Sequence, residues 1–375
     1  MSTLQVEGIR NAAATSDAIS LATDGTCTTK ATNKVVHNLL YNGEMQIAQR
    51  ATSSTSYGYQ TVDRWKVNVS VGAFTTSQDT ESPNNFAKSL KLDCTTAATA
   101  SANNNISIQQ HLEGFDLQGI GAGTSGAKSL TLSFWVRSTK TGVFNTILYQ
   151  KDGGKFAVQN TTISSANTWE KKTFTVAGNT ADAIANDNSK SLTVEFWLDA
   201  GPDYRGGTVD GSWNTWANNE AGEGITLNLG DNTANNFWIT GIQLEMGDIA
   251  SDYCYRSYGE ELHRCQRYFQ STYEPGSTDA YRRHGIGFSP NTSRCDTVYW
   301  FNPRLRTTPS GSSSGNFKMD GHTTRVVTSI TYQHPTTSSV TIVFNDSGSG
   351  MNADTNWICR ADNDADARID FNAEL

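Results

Sequence analysis

The sequence predicts an all-β protein: an N-terminal attachment segment, a jelly-roll β-sandwich, a short connecting helix and a smaller C-terminal β-sandwich. Three observations carry this. Short runs with an apolar residue at every second position recur along the chain, the pattern of strands with one face in a core. Clusters of Asn, Gly, Asp and Ser separate those runs as turns do. The composition suits pleated surfaces, with 36% hydrophobic and only 18% charged residues and nine Trp, thirteen Tyr and fifteen Phe. At 375 residues the chain is long for one core, which favours two domains.

Residues 1–37 are small and polar, with strand-like alternations in LQVEGI and AISLA and a turn signal at Asp24-Gly25. So little apolar surface cannot fold alone. Either the segment is a flexible tail or other chains complete it. Residues 38–257 form the first large domain. LLYNG turns at Asn42-Gly43, and strand-like runs follow at 65–74, 88–94, 105–112, 129–138, 143–150, 155–160, 169–176, 191–200, 224–230 and 237–245. Two of them, LTLSFWV and LTVEFWL, are near copies, which suggests equivalent central strands with Trp135 and Trp197 as core anchors.

The longest irregular piece is 201–224, and loops of such length in compact domains are usually functional or ordered by a partner. It carries Tyr204, Trp213 and Trp216 among Gly, Asn and Asp, without alternation. Indole faces beside amides and carboxylates suit a sugar, whose apolar ring face stacks while its hydroxyls are bonded. The same aromatics could equally fold back over the sandwich or meet a neighbouring subunit.

Residues 258–375 open with a helix near Glu260–Gln270, acids at its start and apolar residues three or four apart. Seven short strand-like runs follow, from AYRRHGIGFSP to RIDFNAEL. The stretch TTPSGSSSGNF between them is low in complexity and reads as mobile.

The charge pattern excludes some classes. With a net charge of −8 and no basic block, nucleic acid is not an expected partner; the arginines between Arg256 and Arg306 alternate with Glu260, Glu261 and Glu274. Six scattered cysteines without CxxC or Cys/His spacing read as mostly free, buried thiols. No secretory leader and no run of about 20 apolar residues occurs, so membrane insertion is not expected. A GxSxG elbow, a phosphate loop and HExxH are all missing, and ADNDADARID lacks the Gly and terminal Glu of an EF-hand loop. These residues point away from catalysis and name no cofactor.

Several segments taken together carry a resemblance: MSTLQVEGIRN, HNLLYNGEMQIAQR (His37 to Arg50), VDRW (Val62 to Trp65) and GIQLEMG followed by YRSYGEELHRCQRYFQ. In this order they resemble a recurrent module of bacteriophage virion proteins, above all tail fibres of phages of marine bacteria and cyanobacteria. Ala51 stands where that module often has Gly, and Phe269 where it often has Tyr. The resemblance implies a jelly roll similar to carbohydrate-binding modules and a non-enzymatic role in host recognition. It also implies homotrimers, virion attachment through residues 1–37, host-surface polysaccharide as ligand, assembly in the host cytoplasm and release by lysis. Jelly rolls of this kind often hold a structural calcium near the first and last strands, where Glu44 and Glu245 stand. A capsid decoration or head-fibre protein is the alternative, and a glycan-degrading enzyme a weaker one.

Overall fold

The computed structural model describes residues 7–9, 19–21, 23, 27–29, 38–348 and 350–375. Near the N-terminus it places three short antiparallel strands, Gly8–Ile9, Ile19–Leu21 and Cys27–Thr29, paired in chain order. Most of the segment expected to attach or intertwine lies outside the described residues.

Alternating runs build the large sandwich. Its front sheet runs, in spatial order, Glu170–Val176, Leu130–Ser138, Asn236–Met246, Ser89–Thr96, Ala73–Asp79 and Ser53–Ser54. The back sheet runs Asn214–Thr215, Lys155–Ile163, Gly142–Gln150, Lys190–Ala200, Asn105–Glu113 and Lys66–Val69. Consecutive strands repeatedly cross from one sheet to the other, and the ladders are antiparallel, which is jelly-roll wrapping. Between the sheets Leu132, Phe134, Val136, Phe196, Phe237 and Leu244 are buried, and the Phe134 and Phe196 rings meet edge to face at 4.8 Å.

That packing separates the two indoles: Trp197 does anchor a core, a second one outside the sheets, whereas Trp135 anchors none. Neighbours on a strand point to opposite faces, so in each Phe-Trp pair only one ring can enter the inter-sheet core. Phe134 and Phe196 take that place. Trp135 is half-buried on the outer face of the front sheet, while Trp197 is buried on the outer face of the back sheet. Two strand predictions change as well. The run 65–74 breaks at Gly72, whose φ of 67° turns the chain, so Lys66–Val69 joins the back sheet and Ala73–Asp79 the front. In 224–230, Ile225, Leu227 and Leu229 alternate because they are buried, yet no ladder forms there.

The second sandwich sets a seven-stranded sheet against a three-stranded one. In spatial order the larger sheet runs Thr324–Val326, Phe317–Asp320, Thr355–Ala361, Arg283–Ser289, Arg294–Trp300, Ser339–Asn345 and Ser329–Gln333. The smaller runs Phe269–Ser271, Arg368–Asn372 and Ser310–Ser314. Phe317, Phe344, Trp357, Ile369 and Phe371 fill the space between. Here the serine-rich stretch expected to be mobile is an edge strand, with every residue of Ser310–Ser314 paired to Arg368–Asn372. It escapes notice because its register is fixed by backbone bonds and by Gly311 lying under the Tyr332 ring, not by apolar residues.

The helix Tyr258–Gln266 begins at Ser257, whose hydroxyl accepts from the Glu260 amide at 3.3 Å. It sits at a joint between the sandwiches. Arg267 holds Glu113 by two bonds of 2.8 and 2.7 Å, and the Tyr268 hydroxyl donates to the same carboxylate. Fully buried Arg64 lies 3.4 Å from the Tyr268 ring centroid, donates to the His111 carbonyl at 2.6 Å and pairs with Glu374. Burial alone would lower the Arg64 pKa, but the Glu374 carboxylate carries it upward. The motif residues of 38–50, 62–65 and 256–270 thus converge on one structural joint. Cys94, Cys265, Cys295 and Cys359 are buried free thiols, and Cys254 is free and half-buried.

Candidate functional site

The long loop does not present its aromatics as one platform. Its backbone bonds back to the sheet, Gly211 N to Val158 O at 3.1 Å and Trp216 N to Gly154 O at 2.9 Å. Trp216 packs on Tyr149 and Phe156 with ring centroids 4.7 and 4.8 Å apart, and Tyr204 meets Trp197 edge-on at 4.9 Å. These rings roof a small second core on the outer face of the back sheet. Trp213 packs instead against the main core, its indole N–H donating to the Ala177 carbonyl at 2.7 Å. All three side chains are half-buried.

A more open arrangement lies on the front sheet. In the strand Asn236–Met246 the ladder slips between Thr240 and Gln243, and Gly241 there has a φ of 61°. This bulge lets both Ile239 and Ile242 face the core although they are three apart. A Cβ on Gly241 would come within 2.6 Å of the Phe86 ring, so glycine is what allows that ring to lie against the strand. Tyr253 and Tyr255 complete an aromatic cluster, with Phe86 centroids 5.2 and 5.7 Å away and 4.9 Å between the tyrosines. The Tyr255 hydroxyl donates to the Asn85 carbonyl at 2.9 Å, tying the two loops together.

Gln243 and Glu245 hold this wall from behind. The Gln243 amide accepts from Cys254 N at 2.7 Å and donates to Ser251 Oγ at 3.0 Å, while Glu245 accepts from the Ser251 N–H at 2.8 Å. Glu245 is thereby committed to the loop. Glu44 is buried, and burial, followed by the nearby Glu261 charge, raises its pKa against a bond from Gln46 that lowers it. Among the described residues no three His, Cys, Asp or Glu side chains converge as a metal site would require.

Between this wall and the sheet is a trough of about 370 Å³, lined by Trp135, Lys171 and Ser133 on the strands and by Asn84, Asp252 and Tyr255 on the loops. Lys171 pairs with Trp135 across the ladder on one side, and Thr240 does so on the other. Burial pushes the Tyr253 and Tyr255 pKa values up, with Glu44 adding to it, so both hydroxyls stay protonated at neutral pH. The neighbouring Trp238 is not available: Arg137 and Lys91 stand 4.9 and 5.4 Å from its ring centroid, and its N–H donates to Asp79 at 3.1 Å. One partly open indole, protonated phenols, free side-chain amides and a charge of each sign can receive a polar ligand with an apolar face. Sequence reasoning missed Trp135 and Tyr255, although strand alternation across each Phe-Trp pair already required one indole to point outward.

No family model matches the chain, and no curated protein matches it. Solved structures similar to it include the enzymatically active domain of tailspike protein 4 of bacteriophage CBA120, at 11% identity and a TM-score of 0.32 over 56% of this chain and 21% of that one. The matched region therefore spans about a fifth of that tailspike chain. A xylan-binding domain from Paenibacillus barcinonensis matches at 11% identity over 58% of this chain and 99% of its own, TM-score 0.27. A family 11 carbohydrate-binding module of a Clostridium thermocellum cellulase matches at 12% identity over 54% and 98%, TM-score 0.26. Superpositions this loose leave the chemistry of the trough to its own residues.

Proposed function

We propose that this chain is a non-enzymatic structural protein of a phage particle, a tail fibre or receptor-binding protein that attaches the virion to host-surface glycans through the front-sheet trough. The observation that carries the glycan reading is the half-buried Trp135 indole beside the Phe86, Tyr253 and Tyr255 rings, with Asn84 and Asp252 at the same opening. A pyranose offers a flat apolar face and a ring of hydroxyls. The indole and phenol surfaces suit the first, and the amides, carboxylate and ammonium suit the second. The motif order from residue 37 to 270 supports the virion setting, with residues 1–37 as the attachment to other particle proteins. Copies in a homotrimer would act together, because linked weak sites bind a polymer far more tightly than one does.

The test is retention of the full chain on immobilised host-surface polysaccharide. Trp135→Ala and Tyr255→Ala should each weaken it about tenfold or more while melting changes little. Trp213→Ala should leave retention intact. Loss with Trp213→Ala alone would move the site to the long loop and sink the trough. Antibody-gold labelling of intact particles then separates a fibre, labelled at the tail, from a decoration protein, labelled over the head.

A further inference from the structure

The second sandwich carries a surface that its own fold does not use. On the outer face of the seven-stranded sheet, Ile286 is 70% exposed, Phe288 47%, Val298 54% and Trp300 70%. These are neighbours, not scattered residues. Ile286 and Phe288 are two apart on one strand, Ile286 pairs with half-buried Ile358 on the next, and Phe288 pairs with Asp296 on the other side. Val298 and Trp300 continue that third strand on the same face. Antiparallel sheets with one solvated face normally make that face polar.

The opposite face explains why the pattern cannot simply be reversed. The residues flanking Ile286 are Gly285 and Gly287, which point inward. A Cβ on Gly287 would lie well inside contact distance of Cys295 Sγ and Thr297 Oγ1, and one on Gly285 would come 2.7 Å from the Thr297 methyl. A one-residue slip would bring Ile286 and Phe288 inward, and the core has no room for them. This strand gives its glycines to the core and its large apolar residues to the surface.

We propose that this face, centred on Ile286, Phe288, Val298 and Trp300, is where copies of this chain meet. Two of its four residues are aromatic, with side chains of about 150–250 Å² each, so its exposed surface is on the order of a few hundred Å². A standard interface buries about 800 Å² per partner, about 60% of it apolar, so the patch supplies a large share of the apolar part. Two charged pairs around it are closed within the chain, Arg294 with Asp296 at 3.0 Å and Arg360 with Asp320, while exposed Arg283, beside Arg360 in the ladder, adds one positive charge to the rim. A rim this close to neutral offers little to a strongly charged partner and costs little when it meets its own copy. The chain as a whole, at a net charge of −8, would repel a copy over its other surfaces. The inference is independent of the trough, which lies on the other sandwich.

Sedimentation velocity of the full chain, together with hydroxyl-radical oxidation of Trp300, tests it. The expected result is an oligomer at micromolar concentration in which Trp300 is protected, with protection lost on dilution. The Ile286→Thr/Trp300→Ser double variant should raise the dissociation constant about 100-fold or more, with an unchanged circular dichroism spectrum. A wild-type chain that stays monomeric at about 100 µM overturns the proposal. So does an oligomer whose Trp300 is oxidised as fast as in the diluted chain. Should the double variant not fold, the protection of Trp300 in the wild-type chain decides alone.

Discussion

His284 shows how a single side chain sets the response of the distal sandwich to acid. Its ring packs on Phe317 at 5.1 Å, is 7% exposed, and neither ring nitrogen has a hydrogen-bond partner. Burial first, and Arg282 second, lower its pKa from 6.5 to about 4. Between those values the unfolded chain takes up a proton that the folded one refuses. Stability is therefore complete above pH 6.5 and falls as pH drops towards about 4, at about 1.4 kcal/mol per pH unit or about 3 kcal/mol in all. His284→Phe should remove that slope, read as amide-exchange protection in Thr355–Ala361 between pH 7 and 4.5. An unchanged slope would show that another group controls it. His111, also held neutral by burial with a pKa near 2, keeps its own acid response in the large sandwich.

At the scale of elements, the long loop has become part of the sandwich it covers. Trp216→Ala should remove the roof over Phe156 and Tyr149 and cost about 2 kcal/mol, measured as a lower urea midpoint. An unaltered midpoint would mean that the ring contributes no packing. Most strands were legible because one buried face imposes alternation, as in Leu130–Ser138 and Lys190–Ala200. The edge strand Ser310–Ser314 was not, since nothing apolar marks its face. The loop's aromatics are of residue types that suit a sugar, but the fold spreads Tyr204, Trp213 and Trp216 over two packing sites instead of one platform. The trough is assembled from five separate stretches of chain, near Phe86, Trp135, Lys171, Gly241 and Tyr255, and the bulge at Gly241 makes the room for Phe86. No local pattern contains it. The bulge itself left a trace, an isolated glycine inside a strand with Ile239 and Ile242 out of step.

At the scale of the whole molecule, the two sandwiches are joined by buried charge. Glu374→Ala would leave the fully buried Arg64 guanidinium without its carboxylate, and removing one partner of such a pair costs about 3–5 kcal/mol. Its unfolding midpoint should fall accordingly; a drop of less than about 1 kcal/mol would place the pair among those of little worth. The same joint has a mechanical side. The chain enters the large sandwich at Asn38 and leaves it near Arg256, and the Arg256 guanidinium donates to the carbonyls of both Asn38 and Leu40. The Asn38 amide donates to the Ile242 carbonyl at 3.0 Å, and Leu39 N to Leu244 O at 2.9 Å. Entrance and exit are thus riveted side by side. A pull between the amino-terminal segment and the distal sandwich is shunted across these few bonds and bypasses the strands in between, so the large sandwich can hang from the line of tension without being stretched by it.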